Sequence, residues 1–416
     1  MLRAALMNHD QRGFHRNHRT VCRFVGAGAS SNIYHRLRLA QGPMNRNGKA
    51  RLRAAIVTVA NADFIIDLRH VFTPHIVFST FLFRFSFLPA PVRYTHSTWK
   101  MWVPKSKTGV NPMNRFEYRE ARTIDEAVET LNRDNGGRMV AGATDVLIRW
   151  RQGAWTPRYV LNIKRIPGLD EVNYSPDEGL RLGTLVNVRT LEQHPLIRQH
   201  YPALTQAATA FAGVQIRNLA TVGGNVCNAS PAGDTLPALL AYGAVCHLAG
   251  PSGTREVRLA DFFQGPSQTA LQPAELLVEL RLPPPLPHTG ALYIKHSPRS
   301  TMDIATAGAV SLVSLEGEVC QQVRIVLGAV APTVIRVPEA ETLLTGHAPD
   351  ESRLQQAAQA AVDAASPIDD IRGTAAHRRA IVQPLVQRTL HYAVQMAQGA
   401  DLSFETQRGL AVEAAF

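Results

Sequence analysis

The sequence predicts an α+β protein: a mixed body of strands and helices, then a smaller domain pairing an antiparallel sheet with helices. Three observations lead there. Strand-like and helix-like patterns succeed one another from Met113 onward. Two loops rich in small residues, around Val140–Leu147 and Ala220–Gly233, each feed an apolar helical run. Between body and smaller domain stands Pro283-Pro284-Pro285-Leu286-Pro287, which fits neither a helix interior nor a central strand and so marks a boundary.

Residues 1–112 stand apart. They hold 17 of the chain's 44 Lys and Arg but only 3 of its 33 Asp and Glu, leaving 27 basic and 30 acidic residues for the rest. The net charge of +11 is therefore a property of the N-terminal quarter and says nothing of the body. Arg and His recur there without helical or alternating period and without capping signals. Two functional readings are an Arg-rich transit peptide and a nucleic-acid-binding arm. We prefer a simpler one, in which upstream bases are translated and the protein starts at Met113. No aromatic–basic interleaving accompanies the charge, so nucleic acid is not an expected partner. The apolar stretch Phe78–Pro91 is short and broken by Arg84, so no membrane span is expected.

From Met113 order appears at once. Phe116 and Tyr118 alternate as in a strand, and Thr123 caps a helix carrying Ile124, Ala127, Val128 and Leu131 on one face. The turn Asp134-Asn135-Gly136-Gly137 leads to a strand, Arg138-Met139-Val140, that ends in the first loop. Tyr159–Ile163, Leu180–Gly183 and Val186–Val188 read as strands, with Thr190 capping the helix that follows. Tyr201–Phe211 reads as a helix whose alanines permit close packing, and Val214–Asn218 delivers the chain to the second loop. Asp234 or Thr235 opens a short helix stopped at Gly243. Strands at Val245–Leu248, Val257–Leu259 and Leu276–Leu282 complete the body. Beyond the prolines come strands at Ala291–Lys295, Ala309–Leu315 and Val323–Val330. Helices follow at Glu339–Leu344, Glu351–Ala364 and Ala375–Met396, and Pro384 predicts a kink or break in the last.

The two loops carry the chemistry. Gly142 in one, and Gly223, Gly224 and Gly233 in the other, let backbone approach a ligand closely because no Cβ intervenes. Thr144, Asp145, Thr221, Asn225, Asn228, Ser230 and Asp234 place polar groups among them. Such loops before helix N-termini bind phosphate, and two together can clamp one diphosphate from both sides. A single Gly-Gly turn would be only a turn.

At this point the residues become recognisable. AGATDVLI, Ala141–Ile148, and ATVGGNVCNASPAGDTLPALLA, Ala220–Ala241, resemble the signature of the FAD-binding subunit of the molybdenum hydroxylases. That family includes xanthine dehydrogenase, carbon monoxide dehydrogenase, and aldehyde and 4-hydroxybenzoyl-CoA oxidoreductases. The resemblance extends from Met113 to the C-terminus, through Ile166-Pro167-Gly168-Leu169, Asp261-Phe262-Phe263 and Arg372–Arg379. It implies an FAD-binding domain of two subdomains over 113–285, a C-terminal domain like that of the carbon monoxide dehydrogenase flavoprotein over 288–398, and a tail over 399–416. It implies FAD contacts from Ala141, Gly142, Ala143, Thr144 and Asp145, and from Thr221, Gly223, Gly224, Asn225 and Asp234. Cys227, Phe211 and Lys295 match positions near the bound cofactor. Taken alone, Phe211 reads equally as core and Lys295 as a solvated charge. The family has a second glycine where Ala143 stands; if that position requires φ > 0, alanine costs about 1 kcal/mol.

No nucleophile or acid–base pair is suggested, and the resemblance requires none. It implies an oxidoreductase subunit that passes electrons through FAD between the 2Fe-2S clusters of a small subunit and NAD or another acceptor. Substrate would react on a molybdopterin-containing large subunit. Four scattered cysteines, Cys22, Cys227, Cys246 and Cys320, support neither a metal site nor a disulfide framework, and a cytoplasmic location is expected. The four-cysteine insertion of the 4-hydroxybenzoyl-CoA reductases is missing, which weighs against that substrate class. Two alternatives remain: a stand-alone flavin oxidoreductase of related fold, and a basic nucleic-acid-associated module.

Overall fold

Residues 115–299 and 302–401 are described in the computed structural model, together with the backbone of three strands nearer the N-terminus. Those strands, Arg36–Gln41, Leu52–Val59 and Ala62–Asp67, pair antiparallel in sequence order within a unit spanning Met1–Ser97. The charge pattern hides them, but the run Ile56-Val57-Thr58-Val59 is β-branched throughout and suits an extended backbone. The rest of residues 1–112 lies outside the described residues. The second unit, Thr98–Phe416, holds everything else.

That unit begins with a βαβ arrangement of parallel strands. β1 (Glu117–Glu120) and β2 (Gly137–Val140) flank β3 (Tyr159–Asn162), and both pair with it in parallel. α1 (Ile124–Arg133) covers the sheet; Thr123 caps it by accepting from the Glu126 amide at 3.1 Å. α2 (Val146–Arg151) follows β2 directly. A small core of Ala121, Ala127, Tyr159, Leu161, Ile163 and Ile166 lies between sheet and helix.

The second subdomain is a five-stranded antiparallel sheet in the order β7-β6-β8-β5-β4. These strands are β4 (Val172–Ser175), β5 (Gly179–Gly183), β6 (Val245–Gly250), β7 (Gly253–Arg258) and β8 (Leu276–Leu282). Between β5 and β6 the chain forms α3 (Val188–Gln193), α4 (Pro195–His200), α5 (Pro202–Ala210), α6 (Val214–Arg217), α7 (Val222–Asn228) and α8 (Thr235–Ala241).

Three expectations are corrected here. Val186–Val188 is not a strand: Val188 donates to the Ala220 carbonyl and Val186 accepts from the Val222 amide, an isolated antiparallel bridge to the second loop rather than a ladder, and α3 already begins at Val188. Asn187, not Thr190, caps α3, because its Oδ1 reaches both the amide and the hydroxyl of Thr190, at 2.8 and 3.1 Å. The second loop is itself largely helical. Thr221 caps α7 through the Gly224 amide at 3.0 Å, which offsets two glycines at its start.

The C-terminal sheet runs β9 (Thr289–His296), β10 (Ala307–Glu316), β11 (Val319–Gly328) and β12 (Ile335–Arg336), antiparallel throughout. α9 (Pro338–Leu344), α10 (Glu351–Ala364) and α11 (Ala375–Ala397) cover its outer face. α11 is one helix of 23 residues that continues through Pro384, so of the expected kink or break, a break does not occur. Both faces of the sheet are buried. In β9, Leu292 and Ile294 face these helices, while Ala291 and Tyr293 join the core of the second subdomain. The two-residue period of a strand thus turns Tyr293 and Lys295 toward the FAD-type loops.

Candidate cofactor site

The first loop connects β2 to α2. The amides of Gly142, Ala143, Thr144 and Asp145 meet no acceptor among the described residues, whereas the carbonyls of Ala143 and Asp145 accept from Leu147 and Arg149 at 3.1 and 3.0 Å. Four consecutive donors are therefore free, which is the backbone arrangement that suits an anion. Ala143 has φ 58°, so the position does adopt the left-handed conformation in which alanine is strained. Gly142 answers a different need: a Cβ there would lie 1.8 Å from the Leu219 carbonyl oxygen. That close approach joins the first loop to the segment entering the second.

In α7 the two glycines have separate roles. Gly223 is buried, and its Cβ would stand 1.7 Å from Thr184 Oγ1. Gly224 is exposed, and a Cβ there would meet only Thr221 Oγ1 within 4 Å, at 2.8 Å. Its backbone is thus open to close approach. Asn225 is buried and donates to Thr235 Oγ1 at 2.7 Å, tying α7 to α8. Cys227 is half-buried, and burial pushes its thiol up to about 12.

Asp234 ends this stretch without capping α8, because its carboxylate is engaged elsewhere. Oδ1 accepts from the Tyr293 hydroxyl at 2.9 Å and Oδ2 from Lys295 Nζ at 2.9 Å. Lys295 also donates to the Ala210 carbonyl at 3.1 Å. Both charged groups are buried, at 7% exposure each, so Lys295 is not a solvated charge. Burial pushes the Asp234 carboxyl above its ordinary range, and Lys295 and Tyr293 oppose that shift. Phe211, at the C-terminus of α5, is half-buried and packs partly on the main core.

Contacts thus join Gly142 to Leu219 and Ala220 just ahead of α7, α7 to α8 through Asn225 and Thr235, and Asp234 through Lys295 to the Phe211 loop. Sequence reasoning missed Arg217 and Tyr293. Tyr293 was legible as the residue two before Lys295 on the same strand face. Arg217 gave no signal beyond a lone cation in a short apolar helix.

The free amides of the first loop fit a diphosphate, and the exposed backbone at Gly224 leaves room for a dinucleotide to approach the second. Fold and loops together define a two-domain flavoprotein. Residues 114–285 match the family described as the FAD binding domain in molybdopterin dehydrogenase, and residues 292–393 match the CO dehydrogenase flavoprotein C-terminal domain. The chain is 30% identical over 283 residues to a xanthine dehydrogenase FAD-binding subunit of Escherichia coli, covering 68% of this chain and 97% of that protein. It is 32% identical over 282 residues to the carbon monoxide dehydrogenase medium chain of Hydrogenophaga pseudoflava, covering 67% and 97%. Among solved structures, carbon monoxide dehydrogenase from that organism, lacking the Mo-pyranopterin moiety, matches with a TM-score of 0.66 at 32% identity, over 68% of this chain and 98% of that one. Quinoline 2-oxidoreductase from Pseudomonas putida matches with a TM-score of 0.65 at 26% identity, over 69% and 99%. The chain belongs to the FAD-binding medium subunits of the xanthine dehydrogenase and carbon monoxide dehydrogenase family, and is an FAD-dependent oxidoreductase subunit. No helix among the described residues is long and apolar enough to cross a membrane.

Proposed function

We propose that this chain is the electron-transfer subunit of a molybdenum hydroxylase-type complex. It exchanges electrons through FAD between the 2Fe-2S clusters of a small subunit and NAD or another acceptor, while a molybdopterin-containing large subunit carries the substrate. The four amides of Gly142–Asp145, without an acceptor among the described residues, are the observation that carries the reading. With Gly224 and Thr221 they would hold the diphosphate, and Asp145 serves through its amide rather than its exposed carboxylate. Ala141 and Gly223 shape the backbone around them. Asn225, Cys227 and Phe211 would stand beside the rest of the cofactor. When bound, FAD supplies a centre that takes and gives electrons singly or in pairs, joining one-electron clusters to a two-electron acceptor.

The chain's own residues bind and orient. Asp234 and Lys295 neutralise one another, so the buried pair adds no net charge beside the cofactor. The test begins with the full chain co-expressed with its partner subunits. Stoichiometric FAD, and loss of its long-wavelength absorbance on anaerobic addition of NADH, are the expected results. Bleaching by a chemical reductant but not by NADH would replace NAD with another acceptor. Purification of a flavin-loaded chain with no molybdenum subunit attached would favour the stand-alone flavoprotein.

A further inference from the structure

The loop after α5 is gripped by two cations that the site description alone leaves unexplained. Arg217 donates through one guanidinium nitrogen to the carbonyls of Thr209, Phe211 and Ala212, at 3.2, 3.0 and 2.8 Å. Lys295 takes the remaining carbonyl, that of Ala210, at 3.1 Å. Four successive carbonyls are thus bound by two buried or half-buried cations arriving from different domains. Each cation is held in turn by a carboxylate: Arg217 by Glu192 at 2.9 Å, and Lys295 by Asp234 at 2.9 Å. The amides of Ala212 and Gly213 have no acceptor among the described residues, and Ala212 sits at φ 39°.

The position of this loop gives the grip a purpose. Through Lys295 and Asp234 it is tied to the end of the second cofactor loop. Through α6, which carries Arg217, it leads to Leu219, whose carbonyl abuts Gly142 in the first cofactor loop. The loop is thereby fixed to both halves of the candidate site. A charge-assisted bond to a carbonyl is strong enough to hold backbone in a conformation that alanine disfavours.

We propose that Arg217 and Lys295 are positioning residues of the flavin site, holding the carbonyls of Thr209–Ala212 to one side so that Phe211, Ala212 and Gly213 form a fixed wall for the flavin ring. The inference rests on the assignment of FAD to this cleft. Neither cation needs to touch the cofactor. Their effect passes through the loop.

Removing Lys295 alone would leave Asp234 buried without its cation, so the informative variant is the double exchange Asp234→Asn with Lys295→Met, set beside Arg217→Met, Arg217→Lys and Lys295→Arg. Measurements on the full chain are the FAD dissociation constant, the flavin absorption spectrum and the flavin reduction potential by dye equilibration, with thermal melts to report folding. The double variant and Arg217→Met should each weaken FAD binding about ten- to a hundredfold, the worth of one charge-assisted hydrogen bond, and shift both spectrum and potential. Lys295→Arg, which keeps a donor for Ala210 and a cation for Asp234, should recover most of the affinity. Wild-type affinity, spectrum and potential in folded double and Arg217→Met variants would overturn the inference while leaving FAD in the cleft. Absence of FAD from the wild-type chain would overturn the site assignment itself, and the inference with it. Should the larger exchanges fail to fold, Arg217→Lys must still move the potential; an unchanged value refutes the proposal.

Discussion

Alanine at Gly224 and alanine at Gly142 should separate binding from folding. At Gly224 the new Cβ meets only Thr221 Oγ1, at 2.8 Å, and the backbone is already helical with negative φ. Alanine in place of glycine within a helix gains about 1 kcal/mol, while disturbing the Thr221 cap costs about 0.5–2 kcal/mol. Stability of the flavin-free protein should therefore stay within about 1 kcal/mol of wild type. The exposed backbone, however, gains a methyl group where the diphosphate would approach. Overpacking of that kind costs about 1–3 kcal/mol, or roughly five- to a hundredfold in FAD affinity. Gly142→Ala should behave oppositely, because its Cβ would fall 1.8 Å from the Leu219 oxygen and 2.6 Å from its carbon, both rigid backbone. That exchange should lower the melting point of the flavin-free protein by several degrees, at about 2–4 °C per kcal/mol for a body of this size. Circular dichroism melts and quenching of FAD fluorescence on titration give the two numbers. Unchanged FAD affinity in Gly224→Ala would refute the idea that this helix start faces the cofactor.

Three further outcomes follow from the same structure. Ala143→Gly relieves about 1–2 kcal/mol of left-handed strain and loses about 0.4–1 kcal/mol to unfolded-chain entropy, so the melting point should rise by about 2 °C; a fall would place the strain elsewhere. Arg378→Met removes a buried guanidinium that donates to the carbonyls of Thr306 and Ala329 and to Asp370, at 2.7, 3.0 and 2.7 Å, and should cost about 3 kcal/mol in chemical denaturation. Acid should destabilise the protein below pH about 4. Glu275, beside Arg255, Asp303, beside Arg299, and Asp370, bonded by the Arg372 amide and Arg378, all have carboxyls held below their ordinary range. A depressed carboxyl contributes stability above its unfolded pKa and loses it as pH falls through the folded value. Asp234 is shifted upward by burial and so has the opposite sign. A melting point flat from pH 5 to pH 2.5 would contradict this linkage.

Most of the fold was legible because its elements announce themselves locally. Thr123 before an amphipathic run, the Gly250–Gly253 turn between two strands, and five residues with four prolines are signals of a few neighbouring residues. The errors came where a side-chain cap or a packing contact, rather than residue pattern, decided the outcome. Val186–Val188 looks like a strand by composition, but the Asn187 side chain reached forward to Thr190 and began a helix there. Two adjacent glycines argue against helix, yet Thr221 and the packing of Gly223 on Thr184 wound α7 anyway. The strands at Arg36–Gln41 and Leu52–Val59 were masked by charges that carry no periodic signal.

The two small-residue loops were readable from residue type alone, but the bonds that hold the Phe211 loop beside them were not, and the reason lies in the C-terminal sheet. β9 is buried on both faces, so its apolar pattern is continuous and gives no hint of which side each residue takes. Only the pairing of the sheet with α5 and α8 shows that Ala291, Tyr293 and Lys295 share the face toward Asp234. The same contact brings Asp234 to a lysine some sixty positions on, a partner that the sequence around Asp234 does not reveal. The candidate site is therefore a product of both domains. The N-terminal body supplies backbone donors, and the C-terminal sheet supplies the buried cation that, with Arg217, fixes the loop at Phe211. A C-terminal domain that kept only the apolar face of β9 would leave Asp234 buried without its cation and the Ala210 carbonyl unheld.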